Sequence, residues 1–266
     1  MGTRPFITWT ASPELIDLGA ISIRWYGLLF ALAFLSGYYL FVWFFRRENK
    51  PEEDLSSLLV YLLLGTLIGA RLGHCLFYEP GYYLSRPFQM LMIWKGGLAS
   101  HGGAVGILAA LYFYSRRHRD QPYLWLLDRL VIATALGGAF IRLGNLFNSE
   151  IVGIPTDVPW AFVFTRIDTV PRHPAQLYES ISYLLIFLLL LVIYRERGAK
   201  TPRGLLTGLF LILVFGARFL IEFVKMPQAA FSVPGPFSMG QLLSVPAVIA
   251  GIVLLLRVGK TNLKIE

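Results

Sequence analysis

The chain has 266 residues, 56% hydrophobic and 15% charged, with a mean hydropathy of +0.60. That is too apolar for a water-soluble globule of this length. The formal charge is +8, but Lys and Arg fall in short clusters between apolar runs and form no long basic stripe. The surplus therefore reads as membrane topology and argues against a nucleic-acid partner.

A span needs about 20 apolar residues to cross the hydrocarbon core. Seven stretches qualify: about 22–44, 56–78, 96–115, 123–148, 177–194, 204–224 and 240–257. The first is not read as a cleaved signal, because a segment holding Glu14 and Asp17 precedes it and its apolar run is too long. Tyr26 stands near its start. The second carries Gly65, Gly69 and Gly73, with Arg71 between them, and Cys75 inside an apolar run reads as a buried structural thiol. One cysteine excludes an internal disulfide, and four His argue against a structural zinc site. The third opens on His101, Gly102 and Gly103. The fourth, after Pro122, ends in Arg142 and Asn145. The fifth opens on Gln176, Tyr178 and Glu179, and the sixth, after Pro202, ends in Arg218 and Glu222. The seventh follows Ser238-Met239-Gly240. Pro80, Pro155 and Pro227 follow helix ends. The expected fold is an all-α polytopic membrane protein of about seven helices, with residues 1–266 as a single domain and a short outer cap from about 149–172.

The connections near residues 46–50, 116–119 and 195–203, with the tail beyond 257, hold thirteen Lys and Arg, against seven on the opposite side. The positive-inside rule makes the richer side cytoplasmic, with the N-terminus outside and the C-terminus inside. At about 1.5 Å per residue, Tyr26, Arg71, His101, Arg142, Asn145, Glu179, Arg218 and Glu222 then lie within roughly 10 Å of the outer interface. The cytoplasmic halves hold little beyond aliphatic side chains, Phe and scattered small hydroxyls.

Each group has a plainer reading. A single Arg near a helix end snorkels to the interface, and Arg218 with Glu222 at i,i+4 suits a structural ion pair. A lone His101 suits a satisfied core histidine. Glycines at four-residue spacing suit close helix packing, although a Gly-rich helix start also exposes N–H groups to an anion. Three Arg residues at one depth on three helices are harder to dismiss, since intramembrane charge is costly and faces a cavity or partner. Guanidinium in excess at headgroup depth suits a phosphate, and apolar helices around it suit acyl chains. The residues thus point to an anionic phospholipid site open to the outer leaflet.

Several stretches, in order along the chain, resemble one family. They are Arg24-Trp25-Tyr26-Gly27, Gly69-Ala70-Arg71-Leu72-Gly73, Ser100-His101-Gly102-Gly103, and Arg142-Leu143-Gly144-Asn145 with Asn148 and Glu150. Arg172-His173-Pro174 with Gln176-Leu177-Tyr178-Glu179, Arg218 with Glu222-Phe223, and Ser238-Met239-Gly240-Gln241 follow. Together they resemble the bacterial prolipoprotein diacylglyceryl transferases. His74 departs from a frequent Tyr, Val214 from a Tyr of some members, and the segment between Glu150 and His173 is shorter than in longer members.

The resemblance implies transfer of the diacylglyceryl group of phosphatidylglycerol to the lipobox cysteine of prolipoprotein signal peptides, in the bacterial inner membrane, with neither metal nor cofactor. It carries functional positions to Tyr26, His101, Arg142, Asn145, Glu150, Gly153, Arg218 and Glu222. Arg142 and Arg218 would hold phosphate, with Arg71 beside them in the lipid site. His101 would be either the base for the substrate thiol or a headgroup ligand, and Glu222 would orient Arg218. A transporter and a non-catalytic binder of anionic phospholipid are the rival classes; the transporter predicts polar residues continuing to the cytoplasmic side.

Overall fold

The computed structural model describes residues 6–19, 22–227 and 237–262. Helices stand at each of the seven expected places: α1 (Trp25–Arg47), α2 (Glu53–Phe77), α4 (Ser100–Arg117), α5 (Tyr123–Phe147), α6 (Ala175–Arg197), α7 (Leu205–Ile221) and α8 (Met239–Asn262). The short α3 (Pro80–Ser85) follows α2. Among the described residues, six helices are long and apolar enough to cross a membrane, and the protein is an all-α polytopic membrane protein. The exception among the seven is α4. It has 18 residues, about 27 Å at 1.5 Å per residue, and its opening Ser-His-Gly-Gly dilutes its apolar character.

The chain divides into two compact units, one of residues 42–127 and one of residues 1–41 with 128–266. In the first, α2 and α4 pack backbone to backbone. A Cβ on Gly65 would fall 2.6 Å from the Gly106 carbonyl oxygen, and one on Gly73 would fall 2.7 Å from the Gly102 Cα. With apolar tails on the outside, no hydrophobic gain separates helix from lipid, so close van der Waals contact drives such pairing. The packing reading of these glycines is the one the structure bears out. Beside this seam an apolar cleft of about 670 Å³ is lined by Leu64, Ile68, Leu72, Val105 and Phe113, with His101 on its wall. Cys75 is fully buried.

In the other unit, α5 through α8 are joined to a small cap. Strand β1 (Ile7–Trp9) pairs in parallel with β4 (Phe162–Phe164), which pairs antiparallel with β5 (Pro171–Arg172). A separate hairpin joins β2 (Glu14–Asp17) to β3 (Ser22–Arg24). Leu146, Val152, Phe162 and Phe164 form the cap's core, with Trp9 packed on it and its indole N–H donating to the Leu146 carbonyl at 3.1 Å. The cap therefore draws on the N-terminal segment as well as on residues 149–172. Arg172 donates to both oxygens of Asp168, and this bonding holds the Asp168 carboxyl below the usual range.

The end of this unit expected to be cytoplasmic is not purely apolar, which corrects the sequence expectation. Asp128 and Arg129 of α5 are fully buried. Asp128 accepts from the Gly204 N–H (2.7 Å), the Thr207 N–H (2.8 Å) and the Thr207 hydroxyl (2.7 Å). A carboxylate supplied by a neighbouring helix thus caps the N-terminus of α7, whose orphan donors and positive dipole end favour an anion. Arg129 lies over the Tyr194 ring at 5.3 Å.

Candidate functional site

The opposite end of the same unit gathers the charges. Arg142, one turn from the end of α5, places its Nε 3.0 Å from Glu179 Oε2. Glu179, in the first turn and a half of α6, is fully buried, and its Oε1 accepts from Lys225 Nζ at 3.0 Å. The Arg142 contact is an ion pair without hydrogen-bond alignment. Lys225, itself buried, also lies 3.6 Å from Glu222 Oε2. One carboxylate thus bridges two cations contributed by two other elements.

Arg142 Nη1 also reaches Asn145 Oδ1 at 3.4 Å, and Asn145 Nδ2 donates to Glu150 Oε2 at 3.1 Å. Glu150 sits in a tight turn between Ser149 (φ 54°) and Ile151 (φ 60°). For a β-branched residue that backbone is strained, and such strain persists only where the surroundings over-determine it. Here the Glu150 N–H donates to the Asn145 carbonyl (2.9 Å) while its carbonyl accepts from Gln176 Nε2. Tyr26 packs against Gly144 of α5: a Cβ there would fall 2.9 Å from the Tyr26 ring. Nearby, Trp160 donates to the Tyr178 hydroxyl (2.8 Å), which lies 3.1 Å from His173 Nδ1. Burial pushes the His173 imidazole below its usual range, favouring the neutral ring.

Arg218 and Glu222 do not form the expected i,i+4 pair. Helix α7 ends at Ile221 and a 3₁₀ turn begins at Glu222. The Glu222 N–H still donates to the Arg218 carbonyl, but the carboxylate faces Lys225 instead. Arg218 keeps no hydrogen bond or ion pair among the described residues, and its Nε is buried without a partner. Tyr183 of α6 lies within electrostatic reach of both Arg142 and Arg218.

Unsatisfied polarity collects at this end. Among the described residues, the buried side-chain atoms without a hydrogen-bond partner are Asn148 Oδ1, Ser149 Oγ, Gln176 Oε1, Glu179 Oε2, Arg218 Nε and Glu222 Oε2. All belong to the end of α5 and its turn, the start of α6, or the end of α7. Buried polar atoms are normally paired, and here the exceptions share one end of the unit.

Two expected residues lie in the other unit. Arg71 is 4% exposed and gives its guanidinium to the carbonyls of Gln89, Met90, Gly96 and Gly97, over the Tyr83 ring at 5.0 Å. Four of its five N–H donors are so occupied, which makes it a clamp for the loop after α3. His101 is exposed, edge-on to Phe77 and stacked on Tyr78. Lys225 was missed as a site residue because its position reads as a loop charge.

Apolar helices ending in partly buried arginines, beside a buried carboxylate and an unsatisfied polar cluster, define a polytopic membrane protein with a polar interior site. A family model described as prolipoprotein diacylglyceryl transferase matches residues 13–257. The chain is 55% identical over 255 residues to the phosphatidylglycerol–prolipoprotein diacylglyceryl transferase of Chloroherpeton thalassium, covering 96% of this chain and 95% of the relative. It is 56% identical over 248 residues to the protein of that name from Tolumonas auensis (93% and 96% covered) and 44% over 266 residues to that from Bacteroides fragilis (96% of each). The chain belongs to the prolipoprotein diacylglyceryl transferase family, and it is a transferase of lipoprotein maturation.

Proposed function

We propose that this chain moves the diacylglyceryl group of phosphatidylglycerol onto the lipobox cysteine of prolipoprotein signal peptides. The observation that carries the reading is the cluster of unpartnered buried polar atoms around Arg142 and Arg218. In the reaction the thiol loses its proton and the sulfur attacks the glycerol carbon that bears the phosphate ester. A C–S bond forms, the C–O bond breaks, and its electron pair leaves on glycerol phosphate. The leaving group is an anion, so preorganised cations at its oxygens lower the barrier.

Arg218, with no hydrogen bond or ion pair among the described residues, is the readier phosphate ligand, and Arg142 supplies the donors that Glu179 and Asn145 leave over. Asn145 and Tyr26 face the headgroup, and Glu150 fixes the Asn145 amide. His101 serves either as base for the substrate thiol or as a headgroup ligand. The attacking sulfur belongs to the peptide, so Cys75 takes no part in it.

The chain is read as one catalytic domain in the bacterial inner membrane, with α4 as a seventh crossing. Its N-terminus lies outside, its C-terminus in the cytoplasm, and the site towards the outer leaflet. Turnover of labelled phosphatidylglycerol with a lipobox peptide tests the function. Thioether product with release of glycerol phosphate is expected; lipid binding without product would leave a non-catalytic binder. Reporter fusions after residues 50, 118 and 200 should report cytoplasm.

A further inference from the structure

The chemistry above uses Arg142 but gives no role to Lys225, a buried cation on the segment after α7. Its surroundings are built. The Ile154 N–H donates to the Val224 carbonyl (2.9 Å) and the Met226 N–H to the Val152 carbonyl (3.1 Å), so Gly153 and Lys225 face each other in an antiparallel bridge. A Cβ on Gly153 would fall 2.5 Å from His173 Cβ and carbonyl oxygen and 2.6 Å from the Val224 carbonyl oxygen. Nothing larger than glycine lets residues 152–154, the His173 backbone and residues 224–226 meet at that point.

The bridge sets the Lys225 ammonium 3.0 Å from Glu179 Oε1 and leaves Oε2 to Arg142. A buried carboxylate beside a lone guanidinium takes it with both oxygens, in the parallel fork that such pairs favour. Here one of the two oxygens is already occupied. Arg142 Nε lies 3.0 Å from Glu179 Oε2 without hydrogen-bond alignment, and Nη1 turns to Asn145.

We propose that Lys225 is a positioning residue for the transfer reaction and that Gly153 acts through it. By neutralising one oxygen of Glu179, Lys225 keeps Arg142 from being captured, so the guanidinium stays available to the phosphate. Gly153 is then a spacer that places Lys225, not a contact for the lipid. The inference rests on the transferase reading and goes beyond it in assigning Lys225, Glu179 and Gly153 one linked task.

The test uses the full-length protein in detergent or bilayer, with phosphatidylglycerol and a lipobox peptide. The readouts are kcat/KM and inhibition by glycerol phosphate, the leaving group. Lys225→Met should lose about 100-fold in kcat/KM, the scale expected when a catalytic group is misplaced, and should bind glycerol phosphate more weakly. Lys225→Arg should recover most of the loss. Glu179→Gln added to Lys225→Met should recover at least about tenfold in both readouts, because a neutral amide no longer grips Arg142. Gly153→Ala should lose as much as Lys225→Met, and the double variant no more than either, since mutations in one linked device are not additive. A folded Lys225→Met protein with near-normal kcat/KM overturns the proposal, as does failure of Glu179→Gln to restore it. Multiplying losses in the Gly153→Ala/Lys225→Met pair remove the link to Gly153. An inactive wild type would instead sink the transferase reading, so the two failures are distinct.

Discussion

The Arg142 guanidinium and the fully buried Glu179 carboxylate lie 3.0 Å apart, joining the end of α5 to the start of α6. Arg218, on α7, has no such anchor among the described residues. The two arginines therefore answer differently to the same substitution. Lysine keeps the charge and loses the planar fork. Arg142→Lys and Arg218→Lys should each lower transfer by about 10- to 100-fold. Only Arg142→Lys should also lower the thermal midpoint, because it alone disturbs an internal ion pair. Full turnover in either well-folded variant would remove that residue from the phosphate site.

His101 is exposed and makes ring contacts with Phe77 and Tyr78. If it is the base, His101→Gln should turn over slowly at saturating lipid and be partly rescued at higher pH, where more substrate thiol ionises unaided. If it is a ligand for the headgroup, lipid affinity should fall while single-turnover rates at saturation stay near normal. Single-turnover measurements with both substrates above their dissociation constants separate the two.

Cys75 is a fully buried free thiol. Cys75→Ala should retain transfer activity and cost about 1 kcal/mol of stability. Loss of turnover at normal expression would point to an enzyme-linked intermediate.

Asp128 holds the first turn of α7 through three hydrogen bonds. Asp128→Ala leaves the Gly204 and Thr207 donors buried and unpaired, at a cost of about 1–3 kcal/mol. The thermal midpoint in detergent reads this directly, and an unchanged midpoint would mean that the cap contributes nothing.

The cap should soften in acid. The Asp168 carboxyl is depressed by hydrogen bonds from Arg172, so its contribution is present above the usual carboxylate range and is lost as pH falls through the depressed value. The difference in thermal midpoint between wild type and Asp168→Asn should be largest near neutrality and vanish at low pH. A difference that persists in strong acid contradicts this assignment.

The helices were legible because long apolar runs with flanking prolines have few other meanings, and Arg142, Asn145 and Glu150 were legible from their motif. Other features left no local trace. Arg71 binds four backbone carbonyls 18 to 26 residues further on, and every residue offers a carbonyl, so no pattern announces the choice. Lys225 reads as an ordinary loop charge, although the structure buries it in a bridge with Gly153. Asp128 looks like a misplaced charge near a helix start, since the N-terminus it caps begins 77 residues later at Leu205. The i,i+4 spacing of Arg218 and Glu222 misled because Lys225, three residues further on, takes the Glu222 carboxylate.

The glycine seam between α2 and α4 bears on how this chain tolerates inherited change. Elsewhere in the bilayer a new methyl group is absorbed by a side chain turning into lipid. At Gly65, Gly69, Gly73, Gly102 and Gly106 the facing atoms are mostly main chain and have no rotamer to change. An alanine there must force the helices apart along their length. These five positions should be nearly silent to selection for chemistry and severe under selection for assembly, with variants that never accumulate and so never reveal whether they can still react.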